Sequence, residues 1–241
     1  MVFRAGSLSW SRAAGEFVVI VLGVLVALAA DSWNDARLER IEETEYLLRL
    51  HHDLQRDTAQ HGFVLDWMDR KERSLRHLRE VLASTTLTDQ DTATLLSDLA
   101  NASNFGWNVG PLAVRATFED LRSSGKLGLI RDAELRAALI AYQDHAEGAD
   151  RRLEARKTEF PRIAYQLVPT ARDTEGSEFG ASERAEAQDV AGLLVTLRAS
   201  ELPMHIIAET NRALFIRNVV TDLRSAAAAL LGEMAATLER S

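Results

Sequence analysis

The chain has no cysteine, and only four of its 241 residues are proline. Without cysteine there can be no disulfide, no thiol nucleophile and no thiolate ligand for a metal. Prolines that interrupt helices are rare, and the sequence has no run of alternating β-branched residues that would indicate strands. It therefore predicts an all-α protein.

A continuous basic stripe is also missing. The formal net charge is −8, and residues 1–30 contribute +1, so the remaining residues carry −9. Such an acidic surface repels nucleic acid and anionic lipid headgroups. We expect no nucleic-acid partner.

Local signatures of catalysis are absent as well. No histidine follows a glutamate by three positions, and there is no zinc-protease pair, no glycine-rich phosphate loop and no Gly-x-Ser-x-Gly turn. We therefore assign no catalytic, cofactor-binding or metal-binding residue and expect the chain not to be an enzyme. The alternative is an enzyme or metal-binding domain with a site built from dispersed Asp, Glu, His and Arg residues.

One long hydrophobic run is present, Phe17 to Ala30, without a charge. Fourteen helical residues span about 21 Å, less than the roughly 30 Å of hydrocarbon in a bilayer. Trp10 and Trp33 lie roughly 34 Å apart on a helix, the spacing of aromatic anchors at opposite interfaces. The pattern predicts a transmembrane helix that contacts lipid through residues 10–33.

Glu16 falls inside this extended helix. An ionisable group within the membrane is a functional hypothesis by default, whereas a glutamate near the interface can simply reach headgroup water. The second interpretation is favoured.

A secretory signal peptide is the competing interpretation of the same segment. Ala27 and Ala29 form an A-x-A cleavage pattern, and cleavage would leave a soluble chain that begins near Ala30. The long polar N-region, Glu16 beside the apolar core and the uninterrupted helical pattern favour a retained anchor.

The seven-residue spacing of apolar residues predicts that the helix continues from Trp33 to about Leu82. Two positions of the heptad are apolar, with Leu47, Leu54, Met68, Leu75 and Leu82 at one and Leu50, Val64 and Leu78 at the other. His61 interrupts the first set, and Asp57 and Lys71 interrupt the second. Such breaks favour a seam packed within a bundle. We divide the chain into a tail and membrane anchor over residues 1–34 and a helical domain over residues 35–241.

Further helices are expected downstream. The predicted elements are a short helix after a cap at Thr88 or Asp89, a helix opened by Pro111 and closed by Ser123 to Gly125, a long helix capped by Asp132 and bent near Pro161 before Leu167, a helix over 183–199, and a final helix from Pro203 to Leu238. Loops are expected at 104–111 and 169–182, the second of them mobile. Together these elements predict an elongated, mostly antiparallel helical bundle on a membrane stalk.

Three segments carry a family resemblance: Gly15 to Asp35, Glu45 to Asp57, and Thr117 to Tyr142. They resemble a family of uncharacterised bacterial proteins with one N-terminal membrane helix and a helical domain of unknown function. The resemblance covers about the first 145 residues, implies a retained anchor and carries over no catalytic residue.

The resemblance and the anchor together suggest a single-pass protein of the bacterial inner membrane. Arginines lie on both sides of the apolar run, so the basic residues barely favour either orientation. The short N-terminal tail and the acidic exit, including Asp31 and Asp35, favour a periplasmic C-terminal domain.

One candidate site lies on α-helical spacing at Asp53, Asp57 and His61, which share one helical face, with His51 and His52 just before them. These side chains could converge on a cation. The favoured interpretation is a solvated flank whose carboxylates pair with Arg49 and Arg56.

A second candidate site is the pair of aromatic residues Phe105 and Trp107. They could contact a partner or lipid, although packing at the end of the bundle is the favoured interpretation.

The sequence thus favours a membrane-anchored interaction, sensing or scaffolding module, with a protein partner or self-association. The membrane anchor, the two apolar heptad positions and the missing catalytic signatures support this interpretation over catalysis.

Overall fold

The computed structural model describes residues 10–103, 111–168 and 190–240, with side chains described from Phe17 onward. Within these ranges the chain forms helices and turns and no β-strand, which confirms the all-α prediction. The predicted loops at 104–111 and 169–182, apart from Pro111, lie outside the described residues, as does the first part of the helix expected over 183–199.

Seven α-helices and one 3₁₀ turn make up the described ranges. They are α1 (Trp10–Ala83), α2 (Asp89–Ser103), α3 (Ala116–Ser123), the 3₁₀ turn (Lys126–Leu129), α4 (Ala133–Ala155), α5 (Phe160–Leu167), α6 (Val190–Ala199) and α7 (Leu202–Arg240).

Helix α1 dominates the architecture. Its 74 residues extend about 110 Å without a break, because no proline or glycine cap interrupts them. The heptad leucines predicted to form a seam are buried from Leu47 to Leu78, and Leu82 is half-buried at the end. The polar interruptions Asp57, His61 and Lys71 are buried with them.

Helices α2 and α7 both run antiparallel to α1. His77 bonds to Asp98 and Lys71 to the later Ala102 carbonyl, so α2 folds back along α1. Similarly, Lys71 contacts Glu209 while the earlier Gly62 lies beside Arg224. Helix α4 runs parallel to α1 instead, and the bundle is mostly antiparallel as predicted.

The helix predicted to open at Pro111 begins later, so that prediction is wrong. Helix α3 starts at Ala116, because hydrogen bonds from α1 and α4 hold residues 111–114 outside a helix. The predicted end is confirmed: Gly125 takes the left-handed conformation, with φ of 74°, just after Ser124.

The predicted long helix ending at Leu167 is two helices. Asp132 caps α4 as expected, by accepting hydrogen bonds from the Glu134 and Leu135 amides. Helix α4 then stops at Ala155, and Pro161 lies in the first turn of α5, where its missing N–H costs nothing. Proline thus separates the two helices rather than bending one.

Candidate functional sites

The first candidate site is the outer part of α1, which makes no core contact. Large apolar side chains from Phe17 to Leu28 are exposed, with Val26 at 67 %. An 18-residue window here is long and apolar enough to cross a membrane, and none of it is buried. Trp33 is also exposed, whereas the side chains of Trp10 and Glu16 lie outside those described.

The second candidate site is the polar face of α1 around Asp57. Its two carboxylate oxygens accept hydrogen bonds from the Val114 amide (2.8 Å) and the Tyr142 hydroxyl (2.7 Å). Asp57 is 1 % exposed and His61 0 %. The favoured interpretation of this face as a solvated flank is therefore wrong for these two residues.

Neighbouring side chains extend the same set of bonds. His61 donates from Nε2 to the Leu112 carbonyl at 2.7 Å, and Asp53 accepts from the Thr117 hydroxyl at 2.6 Å. From α4, Asp150 accepts the Leu112 amide at 3.1 Å. We call Asp53, Asp57, His61, Tyr142 and Asp150 the clamp. Four of them bond polar groups of segment 111–117, and Tyr142 donates to the carboxylate of Asp57.

Burial shifts the pKa values of two clamp residues, Asp57 and His61, in opposite directions. It raises the pKa of Asp57, although the Tyr142 and Val114 donors oppose the shift. Burial lowers the pKa of His61, although the Leu112 carbonyl and Asp57 oppose it. A neutral His61 that donates one hydrogen bond from Nε2 fits this position.

Metal binding is the other hypothesis for this face. Among the described residues, no group of three or more His, Asp or Glu side chains comes together as ligands. His51 and His52 take no part in the hydrogen bonds of the clamp, and the carboxylates of Asp53 and Asp57 are occupied by donors from α3, α4 and segment 111–117. Phe105 and Trp107 lie outside the described residues.

A third polar cluster was not singled out as a candidate site from the sequence. Lys71 and Glu209 are both fully buried, and their Nζ and Oε1 atoms lie 2.5 Å apart. Lys71 also donates to the Ala102 carbonyl, and the Thr158 hydroxyl bonds to Glu209. Arg212 lies 3.9 Å from the same carboxylate, so the cluster joins α1, α2 and α7.

Desolvation lowers the pKa of Lys71 to about 8, and the Glu209 charge opposes the shift. The ammonium form therefore prevails at neutral pH. The sequence held one signal for this cluster, since Lys71 occupies a heptad position otherwise filled by leucine and valine. The identity of its partner, 138 positions away, had no such signal.

His77 fastens α2 to α1 at the surface of the bundle. Its Nδ1 atom lies 2.6 Å from Asp98 and its Nε2 atom 3.0 Å from Asp91, and Ser74 donates to Asp98 as well. Partial burial lowers the pKa of His77, but the two carboxylates outweigh burial and raise the pKa overall. The two carboxylate contacts thus stabilise the imidazolium form relative to the neutral ring.

This pairing predicts a pH-dependent stability. Because the folded-state pKa of His77 lies above its unfolded value, its contribution is complete below about pH 6.5 and is lost as the pH rises through the folded pKa. We expect the melting temperature of the full-length protein in detergent to fall above pH 6.5. His77→Gln should flatten that fall.

His61 does not contribute to this fall, because its pKa is lowered and it therefore changes the stability in the opposite direction and at more acid pH. Its neutral form contributes stability above about pH 6.5, which is lost as the pH falls through its folded pKa. A pH profile above 6.5 that is identical in wild type and His77→Gln would contradict the role given to His77.

A last group of contacts lies where α1 leaves its exposed part. Lys126 pairs with Glu42 at 2.5 Å, and the Arg131 amide donates to Glu43 at 2.7 Å. The Arg131 guanidinium lies 3.5 Å from Glu39 and 3.6 Å from Glu43. These contacts hold the 3₁₀ turn and the start of α4 against α1, roughly three to four turns beyond Leu28, where the exposed apolar stretch ends.

Residues 16–146 match the model of a family of unknown function, DUF6090. The chain belongs to the DUF6090 family. The match spans the apolar stretch, α2, α3 and most of α4, and with them the clamp except Asp150. The three segments noted in the sequence fall within it, apart from Gly15.

No curated protein and no solved structure is detectably similar to this chain. In this DUF6090 protein the matched region ends before α5, so Glu209 and all of α7 lie outside it. The Lys71–Glu209 pair therefore joins a residue of the matched region to one beyond it.

Proposed function

We propose that this protein is a membrane-anchored helical module for interaction, sensing or scaffolding. Residues 1–34 are its tail and single transmembrane anchor, and residues 35–241 are its helical domain. The observation that carries the proposal is the continuity of α1, whose exposed apolar end and buried seam belong to one unbroken helix. A helix of this kind couples the position of the bundle to events in the membrane.

The contrast within α1 supports a lipid environment for its first part. From Leu47 onward each apolar heptad residue up to Leu78 is buried by the bundle. From Phe17 to Leu28 the large apolar side chains are all exposed, which water disfavours by roughly 25 cal/mol per Å². A bilayer covers such a surface without any protein partner.

We place the anchor in a bacterial inner membrane, with the helical domain in the periplasm. The family resemblance supports a bacterial membrane, and the acidic exit after Ala30 supports the orientation. The absence of cysteine is compatible with either compartment. Alkaline phosphatase fused to the C-terminus should be active in cells. An inactive fusion would overturn the orientation and leave the anchor standing.

Membrane attachment is tested by fractionation of the full-length protein from native membranes. The protein should stay in the pellet through a carbonate wash and dissolve only in detergent, with its first residues present by N-terminal sequencing or mass spectrometry. A matched control replaces Leu22 and Val26 with arginine. Inserting one arginine at the centre of a membrane helix costs about 2.5–3.5 kcal/mol of insertion free energy. Wild-type protein that washes off intact would contradict the proposal.

An enzyme with a dispersed site is the alternative, and the buried Lys71 favours it most. Burial lowers the pKa of Lys71 to about 8, and burial shifts the pKa of catalytic lysines in the same direction. Its Nζ atom, however, is occupied by Glu209 and the Ala102 carbonyl. Covalent trapping of Lys71 by an aldehyde and borohydride in the folded protein would support catalysis and count against a purely structural role.

A further inference from the structure

We propose that the outward face of α1 pairs with the same face of a second copy, as parallel helices in the membrane and just beyond it. This inference rests on the proposed anchor, which would place both copies in one bilayer. It concerns the side of α1 that points away from the bundle, whereas the heptad seam first noticed in the sequence faces inward.

Large apolar residues on this face have no cover within the chain. Leu38, Ile41 and Leu48 are 56 %, 49 % and 54 % exposed, although they lie beyond the apolar stretch and beside the charged exit. Their neighbour Leu47 is 0 % exposed, so the same helix has a packed side and an uncovered side at one level.

The uncovered face continues into the membrane with helical spacing. Ala27, Asn34, Ile41 and Leu48 recur every seven residues, the repeat that two-stranded coiled coils use. A shallow groove runs over Ala27, Ala30 and Asn34, because their short side chains leave the helix surface uncovered. Small residues at this depth let a second helix approach closely.

We call Ala27, Asn34, Ile41 and Leu48 the row, and Gly23 lies one helical turn before Ala27 on the same side of α1. A Cβ atom at Gly23 would meet no other atom within 4 Å, so the fold of a single chain does not require glycine there. Glycine is nonetheless the residue that allows the closest contact between membrane helices.

Charges beside the row select a copy of the same chain, in parallel orientation. Arg37 and Arg40 lie on one flank, and Asp31 and Glu45 lie on the other. Among the described residues none of these four forms an ion pair, whereas Glu42 and Glu43 on the bundle side pair with Lys126 and Arg131. In a parallel two-fold pair the basic flank of one copy faces the acidic flank of the other, while an antiparallel pair would bring like charges together.

The pairing is tested by disulfide cross-linking of full-length protein in native membranes. The chain has no cysteine, so each bond formed reports the introduced residue. Asn34→Cys, Ile41→Cys and Leu48→Cys should give dimers under mild oxidation, since Cα atoms within about 7 Å can be bridged. The Glu39 side chain is 60 % exposed and its carboxylate lies 3.5 Å from Arg131. Glu39→Cys is therefore the matched control and should stay monomeric.

Charge reversal distinguishes a second copy from another partner. In Ile41→Cys protein, Arg40→Glu should lower the ratio of dimer to monomer about tenfold through like-charge contact, and Arg40→Glu with Glu45→Arg should restore it. No dimer, equal cross-linking at Glu39 and Ile41, or an adduct with a different protein would overturn the inference. Retention after carbonate washing in those cases shows that the anchor itself still stands.

Discussion

Lys71→Met should lower the free energy of unfolding by about 3–5 kcal/mol, the cost of leaving one member of a buried ion pair without its partner. Glu209 is fully buried, and the Lys71 ammonium lies 2.5 Å from its carboxylate. Removing the ammonium also leaves the Ala102 carbonyl without this donor. Urea denaturation of the full-length protein in a mild detergent measures the change.

The double variant Lys71→Met with Glu209→Gln should be more stable than Lys71→Met alone. It removes both charges, and a glutamine at 209 can still accept a hydrogen bond from Thr158. Arg151→Ala is the surface control, because its pair with Glu147 is largely exposed and should be worth less than about 1 kcal/mol. Equal effects of Lys71→Met and Arg151→Ala would contradict the importance of the buried pair.

Asp57→Ala should have the second large effect, a loss of about 3 kcal/mol or more. The substitution leaves the Val114 amide and the Tyr142 hydroxyl without an acceptor in a buried place, and each such group costs about 1–3 kcal/mol. Segment 111–117 should loosen first, since the clamp holds it against α1. Hydrogen exchange of the Leu112 and Val114 amides, followed by mass spectrometry, measures this local change.

Asp66→Ala is the matched control on the same helix, because Asp66 is exposed and contacts none of the clamp residues. Its effect should stay within about 0.5 kcal/mol. Tyr142→Phe should have an intermediate effect, because it removes one of the two donors to Asp57. Unchanged exchange at Leu112 and Val114 in Asp57→Ala would show that segment 111–117 does not depend on the clamp.

The sequence predicted the helical class and the seam of α1, because a seven-residue repeat places leucines along one side of a helix, and burial of that side stabilises the fold. It also predicted the Asp132 cap and the end of α3 at Ser123 to Gly125, since both follow local rules of helix ends. The start of α3 was missed because the hydrogen bonds that hold residues 111–114 come from distant helices.

The buried polar residues show a different limit. Asp57, His61 and Lys71 interrupt the leucine repeat of α1. The sequence nonetheless favoured a solvated flank for Asp57 and His61, and their burial shows that this interpretation is wrong. Their partners Tyr142, Leu112 and Glu209 lie between 51 and 138 positions away, and no spacing rule connects them. A polar residue at a seam position is therefore a signal for a buried partner, and only the fold identifies which one.

The central claim, that the apolar end of α1 lies in a bilayer while the bundle lies outside it, is tested most directly by single cysteines and a membrane-impermeant maleimide. In membranes opened by sonication, so that the maleimide reaches both faces, Asp66→Cys should be labelled, whereas Val19→Cys and Val26→Cys should be labelled only after detergent is added. Labelling of Val26→Cys to the same extent as Asp66→Cys before detergent would contradict the claim.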